Sequence, residues 1–143
     1  MRAPAQGGVG PGGIPVASLE LLSLAVTEVE AALAEPTPAR RYVQGHVVAV
    51  RAAAAVLAAR ARPAKARGPK NVWSVLPSVA PEFSEWAAFF AAGAGKQAAA
   101  EAGLSHAVTT READDLVRDA HRFLDVVVGS LARGGGKLTS VAG

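Results

Sequence analysis

The chain has 143 residues, with 15 Lys and Arg against 12 Asp and Glu, three His and no Cys. That length fits one domain, and a hydrophobic share of 50% supplies enough apolar material for a core and argues against whole-chain disorder. Without cysteine there is neither a disulfide framework nor a thiolate metal site, and the scattered His46, His106 and His121 do not make a zinc site.

The residue usage predicts helices. Alanine, the strongest helix former, occurs 33 times against seven aromatics, and no segment alternates with period two for long enough to form a strand. Residues 1–15 carry five glycines and three prolines, which predicts a disordered tail. No apolar stretch follows Arg2 as a secretory signal requires, and the richest apolar runs, 52–59 and 86–95, fall short of a bilayer span. A soluble cytoplasmic protein without membrane contact is the expectation.

The ordered domain is expected over 16–133. The first helix covers about 17–34, with Leu19, Leu22, Val26, Val29 and Leu33 as its inner stripe, Ser18 as N-cap and Glu35-Pro36 as its end. The second runs from Thr37 and Pro38 to about Ala61, with Val43, Val47, Val50, Ala54, Leu57 and Ala61 as its stripe. A short helical piece is expected at 71–76, capped by Asn71. The third main helix follows from Pro81 to about Ala102, with Phe83, Trp86 and Phe90 inward. Five of the seven aromatics lie between 73 and 90, so the thickest part of the core is placed here. The fourth helix opens on a capping box, Thr109 with Glu112. Its stripe is Ala113, Leu116, Val117, Ala120, Phe123, Leu124, Val127 and Leu131, with a stop at Gly134 and a flexible tail over 134–143. The architecture predicted is all-α: an up-down four-helix bundle with a short extra helix before the third main helix.

Charge is uneven along the chain. Between Pro36 and Pro81 there is no Asp or Glu, yet Arg40, Arg41, Arg51, Arg60, Arg62, Lys65, Arg67 and Lys70 all fall there. A field of one sign attracts phosphate, so these eight residues form the candidate nucleic-acid-binding set, against the plainer reading of a solvated basic loop. No aromatic between Tyr42 and Trp73 offers a stacking platform for bases. His46 reads as a histidine at the edge of the apolar stripe, bonded to a neighbouring helix. Five residues of helix turn it about 140° away from Arg41. Asp114, Arg118, His121 and Asp125 line one side of the fourth helix and read as a salt-bridged solvent face. Glu82 and Glu85 read as structural acids in a first helical turn. No carboxylate metal site and no phosphate-binding glycine loop is present, so neither metal nor cofactor is expected.

Three blocks taken together, RYVQGHVVAVRAAAAVL at 41–57, NVWSVLPSVAPEFSEWAAFFAAGA at 71–94 and READDLVRDAHRFL at 111–124, resemble a compact actinobacterial group of the HEPN superfamily (higher eukaryote and prokaryote nucleotide-binding). The resemblance spans about 17–132. It implies a helical bundle that pairs into a homodimer. Many such domains are metal-independent endoribonucleases with an Arg, four to six residues, then a His near the start of a late helix; others are non-catalytic binding modules. Here Arg41 and His46, or Arg40 and His46, meet the spacing, but in the second helix. In the fourth, Arg111 lies ten positions before His121 and Arg118 only three. The expectation is therefore a non-catalytic dimeric domain that binds RNA or a nucleotide through its basic segment. The alternatives are a toxin- or defence-type endoribonuclease using Arg41 and His46, and a protein-interaction module that uses the aromatics of 73–90.

Overall fold

The computed structural model describes residues 8–60, 71–104 and 106–142, with side chains to Gly134, and among them six α-helices form. They are α1 (Val16–Ala34), α2 (Pro38–Arg60), α3 (Val72–Val79), α4 (Ser84–Ala92), α5 (Ala94–Glu101) and α6 (Thr110–Ala142), with single 3-10 turns at Pro11–Gly13 and Pro81–Phe83. No strand is formed among the described residues, beyond one isolated bridge between Val9 and Pro15. The all-α class is as the composition predicts.

α2 is the axis of the molecule and packs against α1, α3, α5 and α6. Its length and hydropathy would allow it to cross a membrane, and 44% of its most apolar window is buried against these neighbours. α1 runs antiparallel to it: Ser18 near the start of α1 donates to the Ala55 carbonyl (2.8 Å), while Glu28 meets Arg51 (3.3 Å). α6 runs parallel to it, with Arg41 bonded to Asp114 at one end and Arg60 to Ser130 (3.2 Å) at the other. Close approach of these two helices needs a glycine. A Cβ on Gly45 would stand 3.1 Å from Val117 Cγ2 and 3.4 Å from the Val117 backbone.

The inner faces differ from the predicted stripes in α1 and α2. α1 buries Ser18, Leu22, Ala25, Val29 and Ala32, and leaves Val26 48% and Leu33 68% exposed. Small residues face α2, so the two backbones come close and the larger pair is turned to the rim. Ser18 is thus a buried hydroxyl satisfied by α2 instead of a cap, and α1 begins two residues earlier, at Val16. α2 buries Ala39, Tyr42, Gly45, His46, Val48, Ala49, Ala52, Ala53, Ala55 and Val56, while Val43, Val50 and Leu57 are only partly covered. A helix wrapped by four neighbours has no single stripe.

The predicted third rod is not continuous. A 3-10 turn opens it and Gly93 divides it into α4 and α5. A Cβ at Gly93 would lie 2.9 Å from the Tyr42 hydroxyl, so the break sits where the chain crosses α2. α6 keeps its predicted stripe whole: all eight residues from Ala113 to Leu131 are buried. The capping box forms in both directions, with the Glu112 N–H donating to Thr109 Oγ1 (3.0 Å) and the Thr109 N–H to Glu112 Oε1 (2.9 Å). Asn71 caps α3 by accepting from the Trp73 N–H at 2.8 Å. α6 does not stop at Gly134 but continues to Ala142 through three consecutive glycines, 134–136, each of which costs a helix about 1 kcal/mol. At the other end residues 8–15, expected in the N-terminal tail, fold into the turn that leads into α1 and contacts α6.

The rings close the core between α2, α3, α4 and α6. Trp73 stacks on Phe90 (5.0 Å between centroids), Phe90 meets Phe123 (5.5 Å), and Phe83 meets Phe123 edge to face (5.9 Å).

Candidate functional site

The first candidates are the cations of the acid-free segment. Arg62, Lys65, Arg67 and Lys70 lie outside the described residues. Of the other four, each meets a carboxylate from elsewhere in the chain. Arg40 lies 3.6 Å from Glu35, Arg41 bonds Asp114, Arg51 lies 3.3 Å from Glu28, and Arg60 lies 2.6 Å from Glu82. Arg51 and Arg60 are nine residues apart and so point to opposite sides of α2, and Arg40 to Arg60 spans about 30 Å of helix. Arg40 and Arg41 share one end of the bundle; the structure does not bring Arg51 or Arg60 to them. Arg60 is further committed to Ser130 and lies over the Phe83 ring, 5.8 Å from its centroid.

Arg41 and His46 diverge. Arg41 is pinned in the first turn of α2: its Nε donates to the Glu35 carbonyl (2.9 Å) and Nη1 to Asp114. His46 points into the core and is 9% exposed, set edge to face against Trp73 and Phe90 with centroids 5.9 and 6.3 Å away. Its Nε2 accepts a long hydrogen bond from the Trp73 indole N–H (3.4 Å), and Nδ1 has no partner among the described residues. Burial lowers the His46 pKa below that of a free histidine, and the Glu101 carboxylate pulls the other way without reversing the shift. A neutral imidazole inside the bundle, aimed away from the nearest arginine, cannot meet the phosphate that arginine would hold.

What Arg41 does share is a groove with α6. Leu33, Arg41, Asp114, Val117, Arg118 and His121 line a recess of about 460 Å³ between the end of α1 and the first half of α6. The predicted row on α6 is thus divided in space. Asp114 is taken by Arg41, while Arg118 turns to Asp115 (3.1 Å) and Asp119 (3.2 Å). His121 stands 3.9 Å from Asp125. Asp119 and then Asp115 keep the Arg118 guanidinium charged, raising its pKa further. Two guanidiniums and an exposed imidazole beside an apolar wall of Leu33 and Val117 suit a phosphate with an organic group attached. No spacing rule points to this grouping, because it depends on α2 and α6 starting side by side.

Glu82 serves as structural acid, as expected, and holds Arg60. Desolvation pushes its carboxyl up, but the bonds from its own backbone N–H and from Arg60 outweigh this and leave its pKa lowered. Among the described residues no three His, Asp or Glu side chains are placed to hold a metal ion.

The sequence model of the SAV_6107-like HEPN family matches residues 32–128, from the end of α1 through most of α6. No curated protein and no solved structure matches the chain. The match takes in α2 to α5, most of α6 and every residue that lines the groove, and it covers more than half of the sequence. The chain therefore belongs to the SAV_6107-like HEPN family, a group of nucleotide-binding or ribonuclease-like domains.

Proposed function

We propose that this HEPN domain binds RNA or a nucleotide without cleaving it, using the groove of Arg41, Arg118 and His121. The single observation that carries this reading is the separation of Arg41 from His46. In both Arg/His pairs with ribonuclease-like spacing the arginine stands in an ion pair, Arg41 with Asp114 and Arg40 with Glu35, while the shared His46 lies in a buried aromatic cluster. Phosphate binding survives that separation, because a guanidinium alone can hold an anion; proton transfer by His46 does not. The ligand exchanges Asp114, whose side chain is 58% exposed, for a phosphate on the partly buried Arg41.

The reading is tested by titrating a short RNA into the protein at several salt concentrations. Binding should weaken as salt rises, and Arg41→Gln should weaken it and reduce the slope of log K against log salt by about one. Affinity indifferent to salt, or a slope unmoved by Arg41→Gln and Arg118→Gln, contradicts phosphate contacts in the groove. A second reading, metal-independent RNA cleavage, has one observation in its favour: the exposed His121 shares the groove with Arg41 and Arg118. It requires cleavage in EDTA that His121→Ala abolishes.

A further inference from the structure

Across α6 from the groove the surface has the opposite character. Asp119 lies two residues before His121, about 200° around the helix. There it faces α4, and Glu85, Trp86, Phe89 and Asp119 line a separate recess of about 370 Å³. Among the described residues two carboxylates and two aromatic rings form this wall.

The rings are held in place from behind. Trp86 stacks at 15° on Phe90 (6.1 Å) and packs on Phe123 (5.2 Å), while Phe89 stands at 75° to Phe90 (5.0 Å). Phe90 and Phe123 are buried, so the core fixes both outer rings before any ligand arrives. Phe89 nevertheless remains 48% exposed, which the burial of its neighbours does not require. Glu85 sits one helical turn before Phe89 on the same face and has no ion-pair partner among the described residues. Asp119 accepts from Arg118 at 3.2 and 3.4 Å, and Arg118 lines an adjoining recess with Phe89 and Asp119, so the carboxylate of this wall that has no ion-pair partner among the described residues is that of Glu85. Among the described residues the cation–π contact lies elsewhere, Arg60 on Phe83.

Going beyond the proposed function, we infer that this recess receives an arginine side chain of a partner protein. The chemistry is complementary on both counts. A ring face attracts a cation, and a guanidinium both stacks flat on rings and donates to carboxylates through a fixed fork. A lysine ammonium offers the charge without the plane. The recess is shallow and open along Phe89, which suits a side chain presented from another surface better than an enclosed small molecule.

The test is an NMR titration of the full chain with acetyl-Gly-Arg-Gly-amide, read at the Trp86 indole N–H. The expected result is a saturable shift of that resonance at millimolar peptide while the Trp73 indole stays still. Phe89→Ala should weaken binding roughly tenfold, and Glu85→Gln several-fold; both positions are exposed, and circular dichroism checks that each variant keeps its fold. Three results overturn the assignment: no shift of Trp86, an equal response to the citrulline peptide, or affinities unchanged in both variants. Free arginine binding as tightly as the peptide likewise overturns it, in favour of a small-molecule site. None of these outcomes depends on whether the Arg41 groove binds RNA.

Discussion

His46 shows how burial decides what a titratable side chain can do. Its neutral form accepts from the Trp73 indole N–H, and protonation would set two donors against each other inside a cluster of rings. The sign of the resulting pH dependence follows from the lowered pKa. Above the ordinary histidine value of 6.5 the side chain is neutral folded and unfolded, and its contribution to stability is whole. As pH falls below that value the unfolded chain takes up the proton first, so stability is lost down to the folded-state pKa. Each unit of depression corresponds to about 1.4 kcal/mol. Denaturant melts between pH 7.5 and 5 should therefore show a steeper acid loss for the wild type than for His46→Gln. Parallel profiles would mean that His46 is not held neutral by the core.

At the scale of elements, most of the helices are legible in the sequence and their rotations are not. α6 has every local signal in agreement, namely the Thr109–Glu112 box, a long stripe and few competing apolar positions, and its eight inner residues are those the periodicity gives. Thr109→Ala should cost about 1 kcal/mol in a thermal or denaturant melt. α1 has the same periodicity but meets α2 through Ser18, Ala25 and Ala32, because alanine-rich helices gain more from close backbones than from large side chains. Leu22→Ala should then cost about 3 kcal/mol, whereas Leu33→Ser should stay within about 0.5 kcal/mol. Comparable losses at the two positions would restore the Leu33 side of α1 to the core. Gly93 divides the third rod into α4 and α5, and the group that a Cβ there would meet, the Tyr42 hydroxyl of α2, is 51 positions away in the chain.

For the molecule as a whole, the sequence holds a run of cations and the fold answers the described ones with acids. Glu28 and Glu35 come from α1 and its end, Glu82 from the turn after α3 and Asp114 from α6, and nothing in the spacing of Arg40, Arg41, Arg51 and Arg60 announces them. A one-sign segment in sequence is thus a two-sign surface in space over the described part of α2. The groove exists only because the fold sets Arg41 beside Arg118 and His121. The blocks that carry the HEPN resemblance, by contrast, are contiguous stretches of core helix, and for that reason family membership could be read before the fold was known.

The central claim is that the domain holds RNA or a nucleotide and does not cut it. It is tested most directly by incubating the purified full chain with labelled RNA in EDTA and following both retention and length. The account predicts RNA that is bound at low salt and recovered at full length. Fragments that appear with the wild type and vanish with His46→Ala or His121→Ala would contradict it.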